Sequence, residues 1–212
     1  MRYIFGDRVM DILIRQFPVY RFLWFCEKSE LDKKILDCGA GGILPPLSLF
    51  SQRGYETHGV DISDSQVRKA SDFSNELGMD LNIVQGDMRK LPYENSSFSF
   101  AYSYNTIFHL TKVDIKIALN EIARVLRKDG LFYVNFLSTD DNLCGEGKEI
   151  GKGEYLQKEG NGEVVHTFFE DGELKDYLEN YDILLLEKTK EKMPKRWGDY
   201  TASFFHCILQ RK

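Results

Sequence analysis

A regular alternation of short apolar runs and amphipathic stretches begins at residue 34, and it restricts the possible folds more than any other feature of the chain. Helical spacing is clearest across residues 111–128, where Ile115, Leu119 and Ile122 fall on one apolar face. Strands that alternate with helices in this way build a parallel sheet with helices on both faces. The chain is therefore predicted to be a doubly wound α/β protein. Its first five strands are predicted at residues 34–37, 57–61, 81–85, 98–103 and 131–136.

Residues 1–30 are predicted to form a helical N-terminal cap, because apolar side chains recur there at helical spacing. We expect two helical pieces rather than one. Phe17 precedes Pro18, and a residue before proline is disfavoured in the helical conformation.

Residues 138–168 break the alternation and are rich in glycine. Asn161-Gly162 is a hairpin-turn signal, so residues 154–157 and 163–167 are predicted to pair as a hairpin. Because ligands of open α/β sheets bind beyond the carboxyl ends of the strands, we interpret this segment as an inserted lid over a ligand. The chain has no repeats and no proline-rich linker, so residues 1–212 are interpreted as one domain. Its last elements are predicted as a helix at 173–179 and strands at 183–188 and 201–210.

The composition excludes several classes of protein. The chain has 212 residues, with 28 Lys and Arg against 33 Asp and Glu and a net charge of −5. This balance does not suit a protein that binds the phosphate backbone, so no nucleic acid partner is expected. No apolar run reaches the roughly 18 residues that a membrane span needs, and no signal-peptide pattern is present. We expect a cytoplasmic protein that does not associate with a membrane.

The cysteines and histidines are spread along the chain without the closely spaced pairs typical of zinc sites. The sequence therefore predicts no metal site, and it predicts free thiols in a reducing compartment. The residues concerned are Cys26, Cys38, Cys144, Cys207, His58, His109, His166 and His206.

A glycine-rich segment, Asp37-Cys-Gly-Ala-Gly-Gly42, follows the first predicted strand. Glycines at this place let a ligand approach the backbone, and the next helix points its positive N-terminal end there. The Asp37 carboxylate would repel a phosphate but attract an ammonium group. A Walker-type phosphate loop is excluded, because Gly41 and Gly42 are followed by Ile43 instead of Lys and a hydroxyl residue. The segment therefore predicts a ligand that carries an ammonium group.

Two further carboxylates follow the next two strands. Asp61 closes the second strand, where it can accept hydrogen bonds from both hydroxyls of a ribose. Asp87, after Gly86, follows the third strand and can accept a hydrogen bond from an exocyclic amine, while Ile62 and Met88 sandwich the ring. Taken singly, Asp61 is equally a helix cap and Asp87 equally an Asx-turn residue. Together with the glycine loop, they favour a nucleoside.

The combination of these motifs resembles the class I S-adenosylmethionine-dependent methyltransferases, most closely their small-molecule branch of the ubiquinone-biosynthesis type. The resemblance covers residues 34–136 and continues from His166 to Leu178. The family often has a third glycine where Ile43 stands, whereas the extra glycine here is Gly42. The motifs that carry the resemblance are Asp37-x-Gly39-x-Gly41, Asp61, Gly86-Asp87 and the run from Glu121 to Leu131.

The resemblance implies a Rossmann-like, mostly parallel sheet of seven strands with an antiparallel strand near its C-terminal end. It implies S-adenosylmethionine as the cofactor and S-adenosylhomocysteine as its product. By this resemblance Asp37 and the backbone of Gly39, Ala40 and Gly41 would hold the methionine portion. The other predicted cofactor contacts are Asp61 for the ribose, Asp87 for the adenine amine, Ile62, Gly86 and Met88 around the ring, and Ser103 near the sulfur.

The activity implied is in-line transfer of a methyl group to an O, N or C atom of an acceptor. A general base is needed only if the acceptor arrives protonated, and His109 and His166 are the candidates. The chain has neither an Asn/Asp-Pro-Pro-aromatic motif nor a Pro-Cys pair, so a small-molecule acceptor is predicted. The candidate walls of the acceptor pocket are Tyr20, Trp24, Tyr104, Tyr155 and Trp197.

Two alternative functions stay open at this point. A nicotinamide-dependent oxidoreductase shares the glycine loop, but Leu44 stands where its third glycine would be, and Asp37 would crowd a pyrophosphate. A non-catalytic module that binds S-adenosylmethionine could use the aromatic N-terminal segment as a partner surface. The sequence is also compatible with both a monomer and a homodimer.

Overall fold

The computed structural model describes residues 7–160, 162–193 and 200–212. Five parallel strands form one side of its sheet in the order β3-β2-β1-β4-β5. This order, with helices between the strands, confirms the predicted doubly wound α/β class. The strands are β1 (Lys34–Cys38), β2 (Glu56–Asp61), β3 (Ile83–Gln85), β4 (Phe98–Ser103) and β5 (Leu126–Ser138).

Helices cover both faces of this sheet. They are α1 (Asp7–Glu27), α2 (Leu47–Ser51), α3 (Asp64–Leu77) and α4 (Lys112–Val125). Gly78 ends α3 in the left-handed conformation, as its position predicts. The chain passes from α4 directly into β5 at Leu126, so the helix is shorter and the strand longer than the sequence indicated.

The prediction of a broken N-terminal helix is wrong, because α1 is continuous and contains Pro18. The residues that follow the proline explain why. Val19, Phe22, Leu23 and Cys26 are buried against the sheet. Most of the stability of a protein helix comes from packing its apolar face, and here this packing outweighs the local cost of the proline.

The predicted antiparallel C-terminal strand is confirmed. Strand β10 (Thr201–Arg211) lies between β5 and β9 (Tyr181–Lys192) and runs antiparallel to both. The predicted helix before β9 is a short 3-10 helix, Glu173–Tyr177.

Three further strands extend the predicted seven-stranded sheet: β6 (Lys148–Gly151), β7 (Glu154–Glu159) and β8 (Gly162–Phe169). Strands β7 and β8 pair antiparallel, which confirms the predicted hairpin, although Asn161 of the turn signal lies outside the described residues. The end of β8 runs parallel to the end of β5. The segment therefore continues the sheet beyond the end of β4. We call β7 and β8 the lid hairpin.

Two apolar clusters fill the space between the sheet and its helices. One contains Leu36, Ile122 and Phe132 and includes the buried face of α4. The other contains Phe22 and Tyr102 and includes the buried face of α1. Among the helices of the described residues, none combines the length and the apolar character required to cross a bilayer.

Candidate functional site

The glycine loop after β1 lies against the end of β2. The backbone N–H groups of Gly39 and Ala40 both donate to the Val60 carbonyl, at 2.8 and 3.0 Å. Gly39 has a φ of +112°, and a Cβ atom there would lie 2.3 Å from Oγ1 of Thr106. Only glycine satisfies both conditions, so the loop requires the residue that the motif provides.

Asp61 is hydrogen-bonded to two backbone groups. Its Oδ2 atom accepts from the N–H of Gly41 and its Oδ1 atom from the N–H of Ser63, both at 2.9 Å. Each carboxylate oxygen has a second lone pair, so Asp61 can still accept hydrogen bonds from ligand hydroxyls. The alternative interpretation of Asp61 as a residue that organises the helix start is thus compatible with ribose binding.

Asp37 is almost fully buried, with 1% of its surface exposed. Within the described part of the chain, neither of its carboxylate oxygens has a hydrogen-bond partner of normal geometry. Burial raises the pKa of Asp37 to about 8; the nearby Tyr102 hydroxyl lowers it and the Asp61 charge raises it further. A buried carboxylate without a partner is costly, and an ammonium group of a ligand would compensate it.

A cleft at the carboxyl ends of the strands brings most of the predicted cofactor residues together. Gly39, Asp61, Ile62, Gly86, Asp87 and Met88 all line it, and so does His109. The sequence analysis missed three lining residues, Val60, Thr106 and Leu110. They carry no motif: Val60 lies in β2, and the path of the chain after β4 brings Thr106 and Leu110 to the cleft.

Asp87 pairs with a neighbouring arginine. Arg89 donates from Nε and Nη2 to the Asp87 carboxylate at 2.7–3.0 Å, and this pairing lowers the pKa of Asp87. The N–H of Arg89 also donates to Oδ1 of Asp87, which is the Asx-turn arrangement considered above. Arg89 further contacts Asp114 at 3.1 Å, which ties the loop to α4. The adenine contact of Asp87 stays a prediction.

Ser103 lies below the cleft. It is completely buried, and its hydroxyl donates to the Cys38 carbonyl at 2.9 Å. It thereby joins β4 to β1 immediately before the glycine loop. Ala40 is also buried, and it leaves no space for a side chain at Gly59, where a Cβ would lie 2.5 Å from the Cβ of Ala40.

The lid hairpin packs against a 3-10 turn, Ile107–His109, that follows β4. The hydroxyl of Thr167 donates to the Leu110 carbonyl at 2.6 Å. Phe168 is buried with Phe108, and Tyr155 packs against this pair. The lid hairpin is therefore fixed beside the cleft, on the side bordered by Leu110.

The two candidate bases meet at this contact. The rings of His109 and His166 have their centroids 4.7 Å apart, and Glu159 lies close to both. Burial lowers the pKa of each histidine, and the Glu159 carboxylate partly opposes this effect. Sequence spacing gave no indication that Glu159 belongs here, since the three residues come from separate elements.

The other predicted walls of the acceptor pocket lie elsewhere or are not described. Trp24 is 54% exposed on α1, with the Lys28 ammonium 3.6 Å from its ring centroid. Tyr20 is exposed on the same helix, and Tyr104 packs beside Tyr133. Trp197 lies outside the described residues.

The residues of the cleft fit S-adenosylmethionine. Asp61 suits its ribose hydroxyls, and the buried carboxyl group of Asp37, which precedes the glycine loop and is not among the residues lining the cleft, suits its ammonium group. The loop is closely packed at Gly39 and Gly41, because a side chain at either position would collide with neighbouring side chains.

Comparisons with known proteins give a consistent result. Residues 36–134 match the family model described as a methyltransferase domain. The chain is 34% identical over 121 residues to the uncharacterized methyltransferase YcgJ of Bacillus subtilis (strain 168), across 56% of this chain and 47% of that protein. It is 26% identical over 189 residues to the sterol 4-C-methyltransferase strm-1 of Caenorhabditis elegans, across 86% of this chain and 53% of that protein. The chain thus spans about half the length of these curated relatives.

A solved structure shares the fold. It is a SAM-dependent methyltransferase from Methanosarcina mazei, with a TM-score of 0.73 and 20% sequence identity. The superposition covers 89% of this chain and 96% of that chain.

Proposed function

We propose that this chain, whose residues 36–134 match a methyltransferase domain, is a class I S-adenosylmethionine-dependent methyltransferase that transfers a methyl group to a small-molecule acceptor. The observation that carries the proposal is the buried carboxyl group of Asp37 just before the glycine loop, which within the described residues has no hydrogen bond of normal geometry and lies near the Tyr102 hydroxyl. A cationic ligand group beside this carboxyl group would favour its ionised form, so the site suits an ammonium group.

The cofactor of this family is S-adenosylmethionine, whose sulfonium supplies an activated methyl group once it is bound. The chain's own residues then have to bind the cofactor and orient the acceptor toward its methyl group. We propose that Asp37 binds the ammonium group, Asp61 the ribose and Asp87 the adenine amine, with Ile62 and Met88 on the ring. Positioning of this kind can supply roughly 7–11 kcal/mol of barrier reduction in a bimolecular reaction.

His109 and Leu110 border the cleft on the side where the lid hairpin is fixed, and we infer that the acceptor binds on this side. Aromatic side chains of the hairpin, Tyr155 and Phe168, pack at this place. These apolar side chains beside the cleft support a small, partly apolar acceptor, and the net charge of −5 argues against a nucleic acid acceptor. Several relatives are named as sterol methyltransferases, which is compatible with an apolar acceptor.

The proposal is tested by finding which class of molecule receives a labelled methyl group. The protein is incubated with methyl-labelled S-adenosylmethionine and with separated small-molecule, protein and nucleic acid fractions of a cell extract. We expect label in the small-molecule fraction only, and much less of it with an Asp61→Ala variant at a cofactor concentration below saturation. Label in protein or nucleic acid would contradict a small-molecule acceptor. Tight binding of S-adenosylhomocysteine without label in any fraction would favour the non-catalytic module.

A further inference from the structure

Three potential metal ligands come together where the lid hairpin meets the 3-10 turn. His109 belongs to that turn, His166 to β8, and Glu159 to the end of β7. One ligand atom from each residue lies within 4.8 Å of the other two. These distances bring all three within reach of a single ion after small side-chain rotations.

The hydrogen bonds around the cluster leave ring nitrogens free for an ion. Nδ1 of His109 is 3.2 Å from the Val165 carbonyl. A neutral imidazole that donates from Nδ1 to this carbonyl presents the lone pair of Nε2, and metal-ligating histidines are usually held in this way. Nδ1 of His166 is buried and, within the described residues, has no hydrogen-bond partner. The cluster therefore contains a buried polar atom that the protein alone does not satisfy.

The chemistry of the three groups matches the zinc-type metals. Imidazole nitrogen suits zinc, iron, cobalt and nickel, and a carboxylate is a common third ligand. Glu159 is exposed and can move to complete the set. Three protein ligands leave at least one coordination position open.

The cluster of His109, His166 and Glu159 lies next to the cofactor cleft. His109 also lines the cofactor cleft, so an ion held by it borders the acceptor side. We propose that His109, His166 and Glu159 bind a divalent transition metal ion of the zinc type, whose open position takes a hydroxyl or thiol of the acceptor. A hydroxyl or thiol bound to such an ion loses its proton to water more readily than when free. The second part of this proposal rests on the proposed function, and it makes the two histidines ligands instead of proton acceptors.

Binding is tested with Co²⁺, which reports its coordination by visible absorption, and with Zn²⁺ as competitor. We expect the wild-type protein to bind one equivalent of Co²⁺ and to release it to Zn²⁺. His166→Ala and Glu159→Gln should each weaken Co²⁺ binding by at least about tenfold. The matched controls are Glu163→Gln on the same hairpin and His58→Ala on β2, and both should bind as the wild type does. Because Glu159 is exposed, its variant is expected to keep the fold and provides the deciding measurement.

The same proteins separate this proposal from the proposed function. In the absence of metal, S-adenosylhomocysteine should bind the His166→Ala and Glu159→Gln variants within a few-fold of wild type. Wild-type protein that binds S-adenosylhomocysteine but binds Co²⁺ no more tightly than a Kd of about 1 mM would overturn the metal site alone. Equal Co²⁺ affinity in wild type and both variants would also overturn it. Metal binding without methyl transfer to any fraction would instead overturn the proposed function and leave the metal site in place.

Discussion

The Oδ2 atom of Asp61 accepts a hydrogen bond from the backbone N–H of Gly41 at 2.9 Å. The second oxygen of the same carboxylate accepts from the N–H of Ser63, also at 2.9 Å. One side chain thus connects the glycine loop after β1 to the start of α3. The shape of the loop and the predicted ribose contact therefore depend on a single carboxylate.

Replacing Asp61 with alanine should affect both binding and stability. Loss of the ribose contacts is expected to weaken S-adenosylhomocysteine binding about 10- to 100-fold by calorimetry. Two backbone N–H groups also lose their acceptor, so the free energy of unfolding in urea should fall by about 1–3 kcal/mol. Asp64→Ala is the matched control, since Asp64 is exposed and pairs only with Arg68 among the contacts described. Wild-type affinity in a folded Asp61→Ala protein would contradict the ribose assignment.

Asp37→Asn should change how stability depends on pH. Burial raises the pKa of Asp37 from 3.8 to about 8, so between these pH values the folded protein holds a proton that the unfolded chain has lost. The free energy of unfolding contributed by this group therefore falls as pH rises through that window. The asparagine variant does not titrate, so it should gain stability relative to wild type from pH 5 to pH 8. If urea denaturation gave the same difference in free energy of unfolding between wild type and Asp37→Asn at pH 5 and at pH 8, the result would contradict this prediction.

The same carboxylate should release a proton when the cofactor binds. An ammonium group beside Asp37 favours the ionised form, so binding near neutral pH converts a protonated carboxyl into a carboxylate. The enthalpy of S-adenosylhomocysteine binding should therefore differ between phosphate and Tris buffers for wild type but not for Asp37→Asn. The variant should also bind more weakly. Equal affinity of the two proteins would show that Asp37 is only structural.

Gly41→Ala should disturb the loop through a steric clash. A Cβ atom at this position would lie 2.4 Å from the Cβ of Gln66 and 2.5 Å from Oδ2 of Asp61. We expect at least a tenfold loss of S-adenosylhomocysteine affinity, and a loss of about 1–3 kcal/mol in the free energy of unfolding. Gly162→Ala is the control, because a Cβ there has no neighbour closer than the Glu159 carbonyl at 4.0 Å. If Gly41→Ala and Gly162→Ala lost the same amount of affinity and stability, the steric clash at Gly41 would be excluded as the cause.

His206 should make the protein sensitive to acid. It is buried between the Tyr133 hydroxyl, at 3.0 Å, and Oγ1 of Thr189, at 3.2 Å. Burial lowers its pKa from 6.5 to about 4, so between these values the unfolded chain binds a proton that the folded protein does not. The free energy of unfolding therefore falls as pH drops from 6.5 to 4. His206→Gln should flatten this dependence in urea denaturation, and an unchanged slope would refute the assignment.

Local patterns predicted a large part of this molecule. The alternation after residue 34 predicts the five parallel strands, and parallel strands present their carboxyl ends at one edge of the sheet. For this reason Gly39, Asp61 and Asp87 could be assigned to one cleft before their distances were known. The roles of these residues toward a ligand remain predictions, as does the single-domain assignment.

The sequence by itself determined the alternation of strands and helices, the glycine loop and the carboxylates at the strand ends, because these depend on short-range spacing and on the two periodicities of helix and strand. Only the tertiary structure decided that α1 continues through Pro18, that the hydroxyl of Ser103 turns to Cys38, and that Asp87 pairs with Arg89. The meeting of His109, Glu159 and His166 was decided in the same way. These features arise from packing and strand register between distant segments, where the free energy of burial selects among conformations that the local sequence permits equally.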